Sequence, residues 1–211
     1  AGRLQPLNAL WFGIVLSISS VSAMAIWVNL ISATLLASTI IYYVIIYTVW
    51  LKRRTPQNIV IGGGSGALPP VIGWAAVNGD VTLASVVLFA IIFLWTPPHF
   101  WALALYKRGD YDKAGVPMLP VVAGRKSTAW QMLAYTVALL PVTLLPCVIG
   151  LSGAVYGAGA LALGLVFMGC SVSVICDTGE QSARRMFPFS ILHLFLIFSL
   201  LLVDQILPVA F

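Results

Sequence analysis

Seven stretches of this chain stay apolar for about 20 residues at a time, which is the length a helix needs to cross the hydrocarbon core of a bilayer. They run roughly Asn8–Trp27, Leu30–Leu51, Asn58–Val77, Val81–Tyr106, Thr128–Gly150, Ala154–Cys176 and Pro188–Leu207. Mean hydropathy is +1.03 and only 8% of residues are charged, too few to clothe a soluble domain. Backbone groups in lipid must be satisfied within the structure, so the choice is a helix bundle or a closed barrel. The ten-residue alternating segments of a barrel are missing. The sequence therefore predicts an all-α integral membrane protein, a polytopic bundle of seven spans. Pro69, Pro70, Pro97, Pro98, Pro141 and Pro146 interrupt the runs, as membrane helices tolerate where neighbours repair the lost hydrogen bonds.

Charge provides a check on the count. If the spans alternate, Lys52, Arg53, Arg54, Lys107, Arg108, Lys113, Arg125, Lys126, Arg184 and Arg185 all fall on the side of Arg3, which accounts for all 11 basic residues. The opposite side carries Asp80 and Asp204 and no base. By the positive-inside rule the basic side is cytoplasmic. Cys147, Cys170 and Cys176 fall in expected spans with no CxxC pair, which reads as buried free thiols rather than disulfides or metal ligands. No nucleic-acid partner is expected of so apolar a chain.

One stretch departs from this pattern. In YKRGDYDKAGVPMLP (Tyr106–Pro120), two acids, Asp110 and Asp112, stand among three bases, Lys107, Arg108 and Lys113. On a regular helix the acids would point about 200° apart; on a frayed end or turn, favoured by Gly109, Gly115 and Pro117, both could reach one cation. Oxygen donors of this kind suit Mg²⁺, which takes one or two carboxylates and fills its shell with water and phosphate. Acids for a metal beside bases for phosphate is the pattern a diphosphate substrate needs. The plainer reading, solvated loop charges that also fix topology, fits this stretch alone equally well.

Two further stretches bear on the choice. YTVWLKRRTPQNIVIGGGSGALPPVIGW (Tyr47–Trp74) places Lys52, Arg53 and Arg54 at another helix end on the basic side. Its glycines are not a phosphate loop, because no Gly-Lys-Ser/Thr follows and the run lies inside a span. Gly62, Gly63, Gly64, Gly66 and Gly73 are expected to permit close helix packing. WTPPHFWALALYKRGDYD (Trp95–Asp112) holds His99 inside the membrane, where ionisable groups lean towards function, although a single hydrogen bond to a neighbour also explains one. His193, among Leu and Phe, reads as packing.

Together these strings, with AGRL at the start, resemble the UbiA superfamily of intramembrane prenyltransferases, and within it the branch that modifies haem. The resemblance covers nearly the whole chain in order. It implies one transmembrane prenyltransferase domain over 1–211, with seven of an expected nine helices around a central cavity. It implies Mg²⁺-dependent transfer of a farnesyl group from farnesyl diphosphate to the vinyl group of haem B, ended by water, in a bacterial inner membrane. Membrane lipid would surround both substrates, and a haem A synthase or terminal oxidase assembly would take the product. Carried over residue by residue, Asp110 and Asp112 would hold the metal and act with Lys113 in catalysis. Lys52, Arg53, Lys107 and Arg108 would bind diphosphate, and His99, in PPHFW, would face the cavity as a haem contact or proton acceptor.

Two departures stand out. The superfamily's first acidic motif belongs before the segment ending in AGR, so it and two helices are expected upstream of Ala1, and metal binding is expected to be incomplete without them. Many relatives also place three residues between the second pair of acids, where this chain has one. Two rival readings are an enzyme of the same superfamily with another aromatic acceptor, which the TPPHFW and GDYDKAGVPMLP strings oppose, and a transporter or lipid-binding protein whose basic face holds anionic headgroups.

Overall fold

The computed structural model of the protein describes residues 5–206, and every regular element among them is helical. Arg3, the AGRL string and Leu207 lie outside the described residues. The elements are α1 (Pro6–Trp27), α2 (Leu30–Ile41) continued by a π-helical segment (Tyr42–Leu51), α3 (Asn58–Gly66), α4 (Pro69–Asn78), α5 (Leu83–Tyr106), the short α6 (Arg108–Lys113) and α7 (Leu119–Val122), α8 (Gly124–Val148), α9 (Ala154–Cys176) and α10 (Gln181–Ile206). They make seven membrane-length apolar units, α3 and α4 together forming the third. The protein is an integral membrane protein with the expected number of spans.

The bundle has two parts that share α5. Helices α5, α8, α9 and α10 form a closed ring, each packing on the next and α10 returning to α5. Its interior is filled by Ile91, Trp101, Met132, Tyr156, Phe167 and Met186, all essentially inaccessible. Helices in lipid gain little from the hydrophobic effect and rely on close packing and interhelical hydrogen bonds. Such bonds cross this ring between α8 and α9: the Tyr156 hydroxyl donates to the Thr143 carbonyl at 2.8 Å, and Thr136 Oγ1 donates to Ser171 Oγ at 3.2 Å. In the other part α1 packs on α2, α2 on α4, the π-helical segment on α3, and both α3 and α4 on α5. Helix α1 buries none of its residues.

Several boundaries differ from the hydropathy reading, and polar contacts set two of them. The third span breaks after Gly66, with Pro69 restarting it as the first residue of α4, a position where the missing N–H costs nothing. The fifth begins at Gly124 rather than Thr128, because Arg125 is held in its first turn: Nη2 donates to the Val174 carbonyl at 3.0 Å and the Asp177 carbonyl at 2.7 Å. The seventh begins at Gln181 rather than Pro188 because the Asp177 carboxylate caps it, accepting from the backbone of Ser182 at 2.9 Å and Gly179 at 2.8 Å. Those two bonds, with help from the Arg125 charge, hold the Asp177 carboxyl below its ordinary pKa. The thiols are free as expected, but Cys147 and Cys170 are only half-buried and Cys176, at the end of α9, is exposed.

Contacts at the two ends agree with the charge partition. Arg125 joins the 177–180 loop, Arg184 lies 4.9 Å over the Tyr106 ring, and Ile59 packs with Ala104 and Met118. These gather the loops after the second, fourth and sixth spans at one end, with the basic residues. At the other end Asp204 accepts from Ser152 Oγ at 2.6 Å and from the Gly153 backbone, Asn29 caps α2 and donates to the Ala75 carbonyl at 2.8 Å, and Gly79 closes α4 in the left-handed conformation (φ 73°).

The glycines divide. A Cβ on Gly62 would fall on the Tyr47 ring, and one on Gly63 would stand 2.9 Å from Thr96 Cγ2, whereas Gly64 has ordinary room and Gly66 and Gly73 meet nothing within 4 Å. Close packing therefore explains Gly62 and Gly63 and not Gly66 or Gly73. Gly62→Ala is expected to lower stability by about 1–3 kcal/mol through overpacking, and Gly73→Ala to leave it near wild type. Thermal unfolding in detergent checks this; equal losses in both variants would refute it.

Candidate active site

A cavity of about 550 Å³ lies between the π-helical segment, α3 and α5. The sequence builds it from opposed sizes: Gly62, Gly63 and Gly66 on α3 face Tyr43 and Tyr47 on the π-helical segment and Trp95, Thr96 and Phe100 on α5. No charged residue lines it. Its threonine and serine hydroxyls are turned to their own helices: Thr39 donates to Leu35 O at 2.7 Å, Ser65 to Gly62 O at 2.8 Å and Thr96 to Ile92 O at 2.7 Å. Apart from the Tyr43 and Tyr47 phenols the wall is thus apolar in effect. From Phe100 to Ile92 along α5 is eight residues, about 12 Å at 1.5 Å per residue, and the cavity extends over that depth.

A second apolar groove of about 440 Å³ runs along α10 past Leu194, Phe195 and Phe198, and Trp95 lines it too. Trp95 is fixed at this junction. Its Nε1 donates to the Ser190 carbonyl at 2.8 Å, and its ring stacks on His99 with centroids 4.2 Å apart. His99 in turn stacks on Phe187 at 4.8 Å and lies 2.7 Å from Ser190 Oγ through Nδ1. Ser190 gives its one proton to the Phe187 carbonyl, which leaves Oγ to accept from Nδ1–H. His99 is only 8% exposed and is not among the residues lining the cavity. The expectation that it faces the cavity is therefore corrected: Trp95 faces the cavity and His99 stands behind it, because the aromatic stack and the Ser190 bond draw the imidazole towards α10. His193 is fully buried against Phe167, 4.8 Å away, in keeping with the packing role expected of it.

The charged residues lie beyond the cavity lining, on the side of Ile59. Tyr111 of α6 packs with the Ile59, Ala104 and Met118 cluster, and burial there pushes its phenol pKa up. Asp110 and Asp112 flank Tyr111 on a regular helical turn, closed by Ala114 N–H to Asp110 O at 3.1 Å. The turn or frayed end that Gly109 and Gly115 suggested is thus a helix, with Gly115 only following it, and the two carboxylates leave it about 200° apart. Asp110 pairs with Lys107 at 3.4 Å, both exposed. Asp112 has no ion pair among the described residues. Arg108 and Lys113 are exposed on the same helix. Lys52 and Arg53 are exposed beyond the π-helical segment, tied back by Asn58, which is 1% exposed and donates from Nδ2 to the Lys52 carbonyl at 3.2 Å.

Among the described residues no three of His, Cys, Asp and Glu converge as a metal site. What α6 offers is exposed carboxylate oxygen, suited to a hard cation that keeps most of its shell as water and phosphate. The reading of the sequence found the charged residues and missed the wall. Nothing in hydropathy marks Tyr43, Tyr47 or Trp95 as lining residues; the one available signal was the glycine run, which needs large partners opposite it.

The sequence model of the UbiA prenyltransferase family matches residues 1–200. The chain is 55% identical over 211 residues to a protein of Parvibaculum lavamentivorans named protoheme IX farnesyltransferase, covering 98% of this chain and 66% of that one. It is 56% identical over 214 residues to the Acidiphilium cryptum protein of the same name, covering 97% and 68%, and 54% identical over 214 residues to that of Novosphingobium aromaticivorans, covering 99% and 70%. It spans about two thirds of the length of these curated relatives. A solved structure described as a digeranylgeranylglyceryl phosphate synthase superposes with a TM-score of 0.80 at 16% identity, over 97% of this chain and 71% of that one, which shows a shared fold. Matched in sequence over nearly its whole length and in fold by an intramembrane helix bundle, the chain belongs to the UbiA prenyltransferase family.

Proposed function

We propose that the protein transfers the farnesyl group of farnesyl diphosphate to the vinyl group of haem B, releasing diphosphate and giving the hydroxyethylfarnesyl side chain of haem O. The observation that carries this reading is a pair of apolar cavities that share Trp95, one of them reaching Ile59, whose cluster with Ala104, Met118 and Tyr111 joins it to the charged α6. Two amphiphilic substrates must meet in such a reaction, each with a long apolar body and an anionic end. The names of the relatives point to the same donor and acceptor.

Lys52, Arg53, Lys107, Arg108 and Lys113 would bind the diphosphate, where fixed positive charge stabilises the negative charge that develops as the C–O bond breaks. UbiA prenyltransferases generally use a divalent metal, and Mg²⁺ is the ion that suits this donor set. Asp112, free of Lys107, is its first candidate ligand and Asp110 its second; the bound ion would add to the neutralisation of the leaving group. As that bond breaks, positive charge grows on the first carbon of the farnesyl chain. The faces of Trp95, Tyr43 and Tyr47 attract such a charge, and the apolar wall keeps water from quenching it. The vinyl group supplies the electron pair for the new carbon–carbon bond, and water then adds its oxygen to the haem side chain and releases a proton. By the positive-inside rule the charged end faces the cytoplasm, in a bacterial inner membrane, and haem O would pass on to haem A synthesis or a terminal oxidase.

Full-length protein in detergent should release diphosphate from farnesyl diphosphate when haem B is present and not without it; release with no acceptor, or only with a different aromatic acceptor, would overturn the reading. In the same assay Asp112→Asn should lower kcat by roughly 10²-fold or more, the scale of losing one stabiliser of a developing anion, and Asp110→Asn by less. Mg²⁺ binding followed by calorimetry should fall in the same order, and full turnover in both variants would remove the metal role from α6.

Lys113→Ala and Arg53→Ala should raise the KM for farnesyl diphosphate by about tenfold each, the measure of a lost charge-assisted contact of about 1.5–3 kcal/mol at its lower end, with the KM for haem unchanged. Equal rises for both substrates would indicate damage to the fold instead. His99→Ala should weaken haem binding, read as the shift of its absorbance bands, by freeing Trp95, while farnesyl diphosphate affinity stays within about twofold. Unchanged haem affinity would return His99 to a packing role.

A further inference from the structure

We propose that Gly66 sets the length of the prenyl chain this cavity accepts, a proposal that rests on the farnesyl-transfer reading above. The three glycines that line the cavity do different things. Gly62 and Gly63 are closed over by Tyr47 and Thr96, so their missing side chains serve helix packing. Gly66 also lines the cavity, yet a Cβ there meets nothing within 4 Å. Gly66 is exposed, and its missing side chain leaves open space at the cavity lining instead of contact.

That volume lies at the far end. Helix α3 starts at Asn58, beside the basic loop, and ends at Gly66. Eight residues separate them, about 12 Å of helix. Thr39 and Ile92 line the other two walls. Directly after Gly66 the backbone leaves α3 at the buried Ala67 and restarts at Pro69, so α3 gives the cavity no wall below this point. A diphosphate held at the basic end would send its chain down this shaft. Three bonds of an extended backbone span about 3.3–3.6 Å, or roughly 1.2 Å per bond. The twelve-carbon main chain of a farnesyl group is therefore about 13 Å long, and the eight-carbon main chain of a geranyl group about 8 Å on the same scale. Farnesyl reaches Gly66 and geranyl stops short of it.

The same wall argues against the acceptor as occupant. Haem B carries two propionate carboxylates, and burying a carboxylate without a partner is strongly unfavourable. The cavity offers no charged residue, its Thr39, Ser65 and Thr96 protons are already given to backbone carbonyls, and the Tyr43 and Tyr47 phenols supply no positive charge to balance two carboxylates. A hydrocarbon chain asks for none of these.

The test is a donor series with haem B as acceptor, using full-length wild type, Gly66→Ala, Gly66→Leu and the control Gly73→Leu. Gly73 has the same open Cβ direction and lies outside the cavity. Gly66→Leu should lower kcat/KM for farnesyl diphosphate relative to geranyl diphosphate by about tenfold or more, the discrimination that a few methylenes give in an apolar pocket. Gly66→Ala should fall between, and Gly73→Leu should keep the wild-type ratio. Haem affinity by absorbance titration should be the same in all four proteins. An unchanged donor ratio in Gly66→Leu, or a loss of haem affinity with the ratio preserved, overturns the proposal. A wild type that transfers no farnesyl to haem overturns the functional reading itself, whatever the variants do.

Discussion

The seam between α5 and α10 is the contact on which the arrangement of the bundle depends. Its hydrogen bonds all meet at Ser190: Trp95 Nε1 donates to its carbonyl, His99 Nδ1 to its hydroxyl, and that hydroxyl to the Phe187 carbonyl. In a low-dielectric interior an unpaired donor is costly, so the two bonds from α5 define one relation between the helices and disfavour a slip along the seam. The stacked rings of Trp95, His99 and Phe187 add area to the same contact. This closes the ring of α5, α8, α9 and α10, and it also sets the angle at which Trp95 presents its ring to the cavity on the other side of α5.

From that fixed helix the rest of the site follows by size matching. The α3 glycines let the Tyr47 ring and Thr96 come close, which draws the π-helical segment and α3 towards α5. The run Tyr42–Thr48 is made of tyrosines and β-branched residues, which crowd the preceding turn of an α-helix. The wider π turn relieves that crowding and places Tyr43 and Tyr47 on the cavity wall. Segments of this kind are rare and gather at functional sites, and here Tyr43, Val44 and Tyr47 of one line the cavity.

Charge and apolar wall are kept apart. Every base among the described residues belongs to one end of the bundle, and the cavity wall carries none. A diphosphate leaving group needs the first environment and a prenyl chain the second. The separation lets one molecule satisfy both without burying an unpaired ion, which in the membrane is the most expensive thing a site can contain.

The sequence by itself determined the helical class, the seven spans and the sidedness of the charges, because those follow from stretches of about 20 apolar residues and from where Lys and Arg stop them. It also supplied the string of charged residues from Lys107 to Lys113. What it could not settle is every feature that depends on direction around a helix. Asp110 and Asp112 are two letters apart in any conformation, but only the folded α6 sends them to opposite flanks and leaves Asp110 with Lys107. His99 is the conspicuous residue of TPPHFW, but the contact with Ser190, 91 residues away, turns it from the cavity and gives the wall to Trp95. Gly62 and Gly66 are the same letter four positions apart, and only the neighbours brought by other helices make one a packing contact and the other an open floor. Hydropathy is a sum along the chain, whereas a cavity is made of side chains from three helices, and their common geometry exists only once the bundle has closed.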